Sequence, residues 1–271
     1  MPCFLCTTCG TQYAESPEPP PACRICDDAR QYVPASGQHW TTLDALRRTH
    51  KNIVHRVDPA LYGIGTTPDF AIGQRALLVR TPAGNVLWDC IALLDDAVID
   101  IIQAFGGLGA IAISHPHYYT TMVEWARAFG APVLLHEADR EWVARPDPAI
   151  EHWSGETREL LPGLTLIRCG GHFPGGTVLH WADGADGRGA ILSGDILQVV
   201  PDLKHVSFMW SYPNLVPLPA ATVRRIADTV APFAFDRIYG AWWGRHIERD
   251  AARAVRRSAE RYVRAIGAEP D

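Results

Sequence analysis

The sequence predicts a layered α/β protein carrying a small cysteine-bound segment at its N-terminus. Three observations lead there. Beyond residue 60, short β-prone runs alternate with helical stretches, the pattern of layered strand-and-helix architectures. Two C-x-x-C pairs stand in the first 26 residues, in a proline-rich stretch too short to build a core of its own. The 271 residues, 47% hydrophobic and 20% charged, have the balance of a folded globular chain able to bury a substantial core. We place the boundary at residue 40, with a four-cysteine knuckle over 1–40 and the main domain over 41–271.

In the first segment, "CTTCGTQYAESPEPPPACRIC" sets Cys6 and Cys9 in one pair and Cys23 and Cys26 in the other, with thirteen residues between the pairs. Each C-x-x-C turn aims two thiolates at one ion, and two such turns complete a tetrahedral sulfur shell that suits zinc or iron. With Pro17, Pro19, Pro20 and Pro21 in its loop, the segment would draw much of its folding free energy from that metal. Cys3, two residues from the chain end, reads as a bystander, and Cys90 and Cys169, each within an apolar stretch, as buried core thiols.

The chain then passes through "TTLDALRRTH", a short helix with Thr41 or Thr42 as its cap. "RALLVRT" and "VLWDC" flank a Pro-Ala-Gly-Asn turn and read as a hairpin. "LLDDAVIDIIQAF" is a helix stopped by Gly106 and Gly107, "LGAIAISH" a buried strand, "YTTMVEWARAF" a helix, "APVLLHE" a strand and "ADREWV" a short helix. "GLTLIRCGG", "GTVLHWA" and "GAILSGD" are three further strands, followed by the helix "PAATVRRIADTVAPF" and the strand "FDRIYGA". In the closing "IERDAARAVRRSAERYVRAI", Ile247, Ala251, Val255, Tyr262 and Ile266 recur at helical spacing, so its arginines mostly fall on the solvent side.

A net charge of -5 argues against a general nucleic-acid binder, whose phosphate contacts need Lys and Arg gathered on one face. No apolar stretch reaches the roughly 18 residues of a membrane span, and "MPCFLCTTCG" lacks the build of a signal peptide. The expectation is a cytoplasmic protein with a small-molecule substrate. In a reducing compartment, five cysteines within 26 residues point to a metal site before a disulfide framework.

Four candidate ligand groups fall at strand ends. His115 and His117 follow "GAIAIS", His172 follows "LIRCGG", Asp195 follows "AILSG", and His246 follows "RIYGAWWGR". Residues two apart in extended backbone point to one side, so His115 and His117 can grip one ion, and three histidines plus water form a usual catalytic zinc shell. His136 reads as structural or supporting. His205 lies in a stretch with Phe208, Met209, Trp210 and Tyr212 that reads either as a substrate wall or as a hydrophobic cover.

The order H-x-H, G-G-H-x-P-G-G, S-G-D and a late His after a strand resembles the metallo-β-lactamase superfamily over roughly residues 60 to 270, "GGHFPGGT" with "LSGD" being the most specific part. The resemblance implies an αββα sandwich and a metal-dependent hydrolase of esters, thioesters, amides or phosphodiesters that uses metal-bound hydroxide. His115, His117 and His172 would hold the metal, Asp195 would bridge it or orient a water, and His246 would match the last histidine, with Trp242 or Trp243 as alternative pocket residues. The four-cysteine segment resembles a zinc ribbon and also the rubredoxin-like knuckles that hold a single iron.

One departure stands out. Where the family pattern continues to an Asp and a His, this chain has Tyr119 and Thr120. The expectation is therefore one catalytic zinc, with iron as the alternative, Asp195 as base or water orienter and Tyr119 as candidate donor to developing charge. Two other readings stay open: an oxidoreductase in which a rubredoxin-like iron feeds the metal site, and a binding module without catalysis.

Overall fold

The structure, a computed structural model, describes residues 1–267; residues 268–271, the end of the span read as the main domain, lie outside the described part. By contacts the chain divides into two units, Met1–Leu135 with Asp139–His152, and His136–Ala138 with Trp153 onward.

In the first unit, strands β1 (Cys3–Cys6), β2 (Gln12–Glu15) and β3 (Trp40–Thr42) form a three-stranded sheet in the order β2-β1-β3, so the cysteine segment is built on a small sheet. Helix α1 (Leu43–Thr49) starts where Thr42 Oγ1 accepts the Ala45 amide at 3.2 Å, as the cap reading required. Its buried Leu46 packs with Leu5, Ala92 and Leu93.

The main sheet of this unit is assembled from β4 (Lys51–Asp58), β5 (Leu61–Thr67), β6 (Ala76–Thr81), β7 (Gly84–Trp88), β8 (Ala110–Ala112), β9 (Val133–His136) and β10 (Ile150–Trp153), in the spatial order β10-β9-β8-β7-β6-β5-β4. The β6–β7 hairpin forms, antiparallel as expected, but it turns at Pro82 and Ala83 alone, with Gly84 and Asn85 already paired in β7. Helices α2 (Asp96–Ala104) and α3 (Met122–Phe129) return the chain between β7 and β8 and between β8 and β9, which makes those pairs parallel. Asp95 caps α2 through the Val98 amide at 3.0 Å, and Gly130 closes α3 in the left-handed conformation at φ 63°. Strands β4 and β5 carry little strand signal: β4 is an edge with exposed Lys51, His55 and Arg56, and β5 contains Gly63 and Gly65.

The second unit holds a six-stranded sheet. β11 (Thr157–Leu161), β12 (Leu164–Arg168), β13 (Thr177–Trp181) and β14 (Ala190–Gly194) run antiparallel. Two ribbons follow, β15 (Gln198–Val199) with β16 (Val206–Ser207) and β17 (Met209–Ser211) with β18 (Val216–Pro217). Helix α4 (Ala220–Val230) then carries the chain back to β19 (Arg237–Gly240), which lies parallel to β14, and β20 (His246–Ile247) closes the edge before α5 (Ala251–Ala265).

One core joins α4 and α5 to this sheet through Ile226, Val230, Val255 and Val263 with Ile167, Ile191 and Ile238, and takes in Phe208 from between the two ribbons. Each such side chain contributes about 1.5–3 kcal/mol by burial. The closing helix buries Ala251, Ala254, Val255, Ser258, Ala259 and Val263, whereas Ile266, expected on the apolar face, is 39% exposed past the helix end. Among the described residues no helix is long and apolar enough to cross a membrane.

Candidate metal centre

The histidine loop leaves the carboxyl end of the parallel strand β8, the place where open α/β sheets offer their crevices. His115 and His117 are 1% and 3% exposed. They flank Pro116, which opens a short 3-10 turn and fixes the backbone between them. The Tyr118 ring lies 4.5 Å from that of His115, and Ser114 Oγ is 2.9 Å from His115 Nδ1. Beneath the loop, Asp89 Oδ1 accepts the Ser114 amide at 2.7 Å. Burial pushes the Asp89 carboxyl up to about 7 against the opposing pull of that amide.

In the second unit His172 is presented by the glycine loop between β12 and β13. The Cys169 and Gly170 amides both donate to Gly176 O at 2.8 Å, and Gly176 N donates to Phe173 O at 3.0 Å, so the loop is closed on itself. His172 Nδ1 donates to Trp210 O at 2.8 Å, with Met209 O at 3.2 Å. That bond fixes the tautomer and leaves the Nε2 lone pair available as a ligand. Asp195, directly after β14, has Oδ2 at 4.0 Å from His172 Nε2. Tyr212 joins the two: its hydroxyl donates to Asp195 O at 2.8 Å, with Ser207 O at 3.1 Å, and its ring lies 5.8 Å from that of His172.

The ligand atoms of His115, His117, His172 and Asp195 lie within 4.8 Å of one another, and all four side chains are buried. Three imidazole nitrogens and a carboxylate oxygen at that spacing are a donor set suited to zinc-like ions. The sulfurs of Cys6, Cys9, Cys23 and Cys26 form the other such group among the described residues, again buried and within 4.8 Å. Cys6 and Cys26 sulfurs are 3.6 Å apart and those of Cys9 and Cys23 3.5 Å. Burial, then the neighbouring thiols, pushes Cys9 up, while hydrogen bonding from Cys23 pulls Cys6 down. Sulfurs so crowded ionise together only around a cation. Gln38 Nε2 donates to Cys6 Sγ at 3.0 Å.

His246 is not in the histidine group. It stands on β20 in register with Tyr239 of β19, its ring 5.3 Å from the Tyr239 ring and its Nδ1 3.6 Å from Glu248 Oε1. Tyr119, 2% exposed, directs its hydroxyl to Asp139 O at 3.5 Å, a long contact. Burial, then the charge of Asp139, raises its phenol well above the ordinary value, so it is a neutral donor. Thr120 is also buried and adopts a left-handed φ of 35°.

His136 is structural: Nε2 donates to Gly155 O at 3.1 Å and Nδ1 accepts from Ala138 N at 3.1 Å. His205 pairs with Asp202 at 2.7 Å. Cys90 and Cys169 are fully buried, and burial raises both thiols, Cys169 to about 12. Sequence reasoning missed Asp89 and the part played by Tyr212. A lone Asp closing a strand and a tyrosine in an aromatic run carry no distinguishing spacing.

The uncharacterized protein YmaE of Bacillus subtilis (strain 168) is 51% identical over 271 residues, covering 99% of this chain and 98% of YmaE. The chain belongs to the YmaE family. No family model matches it. Among solved structures, this YmaE-family chain is similar to VMB-1, with a TM-score of 0.60 at 11% identity, over 80% of this chain and 99% of VMB-1. It is also similar to the DIM-1 metallo-β-lactamase (0.58, 12%, over 78% and 97%) and to the metallo-β-lactamase FIM-1 from Pseudomonas aeruginosa in its mono-zinc form (0.58, 14%, over 78% and 95%). At such identities the likeness speaks for fold. The chain has the metallo-β-lactamase fold, preceded in sequence by a four-cysteine cluster.

Proposed function

We propose that this YmaE-family chain is a metal-dependent hydrolase that acts on a small-molecule ester, thioester, amide or phosphodiester with one zinc held by His115, His117 and His172. The observation that carries the reading is the buried group of three imidazoles and a carboxylate drawn from three separate loops, with ligand atoms within 4.8 Å. A single ion is favoured because Tyr119 and Thr120 supply neither the carboxylate nor the imidazole of the metallo-β-lactamase pattern, and because His246 is outside the group. FIM-1, of the same fold, is known in a mono-zinc form.

A zinc ion held by His115, His117 and His172 would supply Lewis acidity and lower the pKa of water to about 7. The protein's part is orientation and proton transfer. The Trp210 carbonyl holds His172 with Nε2 free, Ser114 and Tyr118 brace His115, and Tyr212 fixes the backbone of Asp195. The Asp195 carboxylate, 5% exposed, would orient the attacking water or act as the general base that takes its proton and passes it to the leaving group. Tyr119 shapes the wall of the histidine loop, its hydroxyl turned to Asp139 O.

The test is metal analysis of the pure protein with esterase, thioesterase and phosphodiesterase panels. One zinc beyond that in the cysteine cage, and turnover lowered about a hundredfold or more in Asp195→Asn, are expected. Turnover that survives complete removal of metal from the histidines would overturn the proposal.

A further inference from the structure

The chain leaves the cysteine cage along Gly10, Thr11 and Gln12, and these residues run over the loop that carries His115 and His117. Gln12 N donates to Thr120 O at 3.1 Å. The Gln12 side chain, 3% exposed, donates from Nε2 to Glu124 Oε1 at 3.1 Å, at the start of α3, and its Oε1 accepts from Arg145. Arg145 Nη1 also reaches Glu124 Oε1 at 2.5 Å. Gly10, at φ +80°, fits so closely that a Cβ would stand 3.4 Å from Thr120 Cγ2 and 3.3 Å from the Cβ atoms of Ala71 and Ala92.

Thr120 needs such a grip. A non-glycine residue at φ 35° persists only where its surroundings hold it, and the Gln12 amide holds its carbonyl while the Thr121 hydroxyl donates to the backbone of Ile91 or Ala92. The grip in turn depends on the cage. The fully buried cluster there consists of Cys6, Cys9, Cys23, Cys26 and Ile25, with Tyr13, Trp40 and Trp142 partly buried against it, so the ligands themselves are most of the fully buried core. A segment with so little apolar surface keeps its shape through its metal.

We propose that the four-cysteine cage is the clamp of the histidine loop: metal bound by Cys6, Cys9, Cys23 and Cys26 holds Gly10–Gln12 against Thr120, and so sets the geometry and metal affinity of His115 and His117. The affinity part rests on the reading of those histidines as ligands. Gln12 and Thr120 are positioning residues. By linkage the effect is reciprocal, so metal at the histidines tightens the cage.

The experiment compares the metal-loaded wild type with Cys23→Ser/Cys26→Ser and with Gln12→Ala, which leaves the four cysteines in place. Backbone hydrogen exchange is followed over residues 116–125, with residues 164–181 of the second unit as reference. Exchange in 116–125 is expected to rise about tenfold or more in the cysteine variant and about threefold or more in Gln12→Ala, with the reference unchanged. Zinc affinity of the histidines is expected to fall in the same order.

Unchanged exchange in 116–125 with the cage empty overturns the clamp. If the cysteine variant exchanges everywhere, Gln12→Ala decides alone, and unchanged loop exchange there overturns it. Faster loop exchange in a protein whose histidines bind no zinc even in the wild type supports the clamp and removes the proposed hydrolase site instead.

Discussion

Gly171 precedes His172 and offers the sharpest energetic test of how that ligand is held. Its φ is +90°, and a Cβ there would stand 2.7 Å from Ile226 Cδ1 and 3.1 Å from Leu218 Cδ1. Gly171→Ala therefore carries two separable costs. The backbone conformation costs about 1–3 kcal/mol for a residue with a side chain, and overpacking against the core of α4 costs about 1–3 kcal/mol more. The sum, about 2–6 kcal/mol, is a large part of the 5–15 kcal/mol that typically stabilises a domain.

Ile226→Val removes the atom at 2.7 Å, so the double variant separates the terms. Ile226→Val alone should cost about 0.5–1.5 kcal/mol. Combined with Gly171→Ala it should recover most of the overpacking and none of the backbone cost, a favourable coupling of about 1–3 kcal/mol. Urea unfolding of the four proteins measures this, and zinc competition titration reports whether His172 is displaced. A neutral Gly171→Ala, or a cycle with no coupling, would refute the account of this loop.

Other expectations follow from individual contacts. Tyr119→Phe loses only a long bond to Asp139 O, so metal content and turnover should stay within about threefold of wild type; a loss of a hundredfold would make the phenol catalytic. Tyr212→Phe leaves the Asp195 carbonyl without its 2.8 Å donor and should cost about 1–3 kcal/mol in unfolding while weakening zinc binding; unchanged binding would deny Tyr212 its positioning role. In metal-free protein, Asp89 is raised from 3.8 to about 7, so the folded state holds the proton more tightly than the unfolded chain and stability falls as pH rises from about 4 to about 7. Asp89→Asn should flatten that slope, and an unaltered pH profile of urea midpoints would contradict it. Thiolate-to-iron absorption in the visible range would favour the redox reading of the cage, whereas a colourless zinc-loaded protein is expected.

The ligands were legible in the sequence because metal chemistry restricts residue type and local spacing at once. C-x-x-C turns, an H-x-H after a strand and a histidine inside "GGHFPGG" are short-range patterns, and the structure groups their ligand atoms, although His117 lies on a 3-10 turn and not on the extended backbone expected for the H-x-H. The α/β order was legible for the same reason wherever strands are apolar and helices capped, as at Thr42 and Asp95. It failed at β4 and β5, where exposed charges and glycines leave no period to read.

What the sequence by itself determined is the chemistry on offer: four thiols, three imidazoles and a carboxylate, and the absence of an Asp and a His at positions 119 and 120. Only the tertiary structure decided how they are used. The register of β19 with β20 set His246 beside Tyr239 and outside the group. Bonds from Tyr212 to Asp195, from Ser114 to Asp89 and from Gln12 to Thr120 join residues 17, 25 and 108 positions apart. Two of the three are made by a backbone amide and the third ends on a backbone carbonyl. Every residue has such groups, so residue identity alone gives no sign of which pairs the fold will bring together.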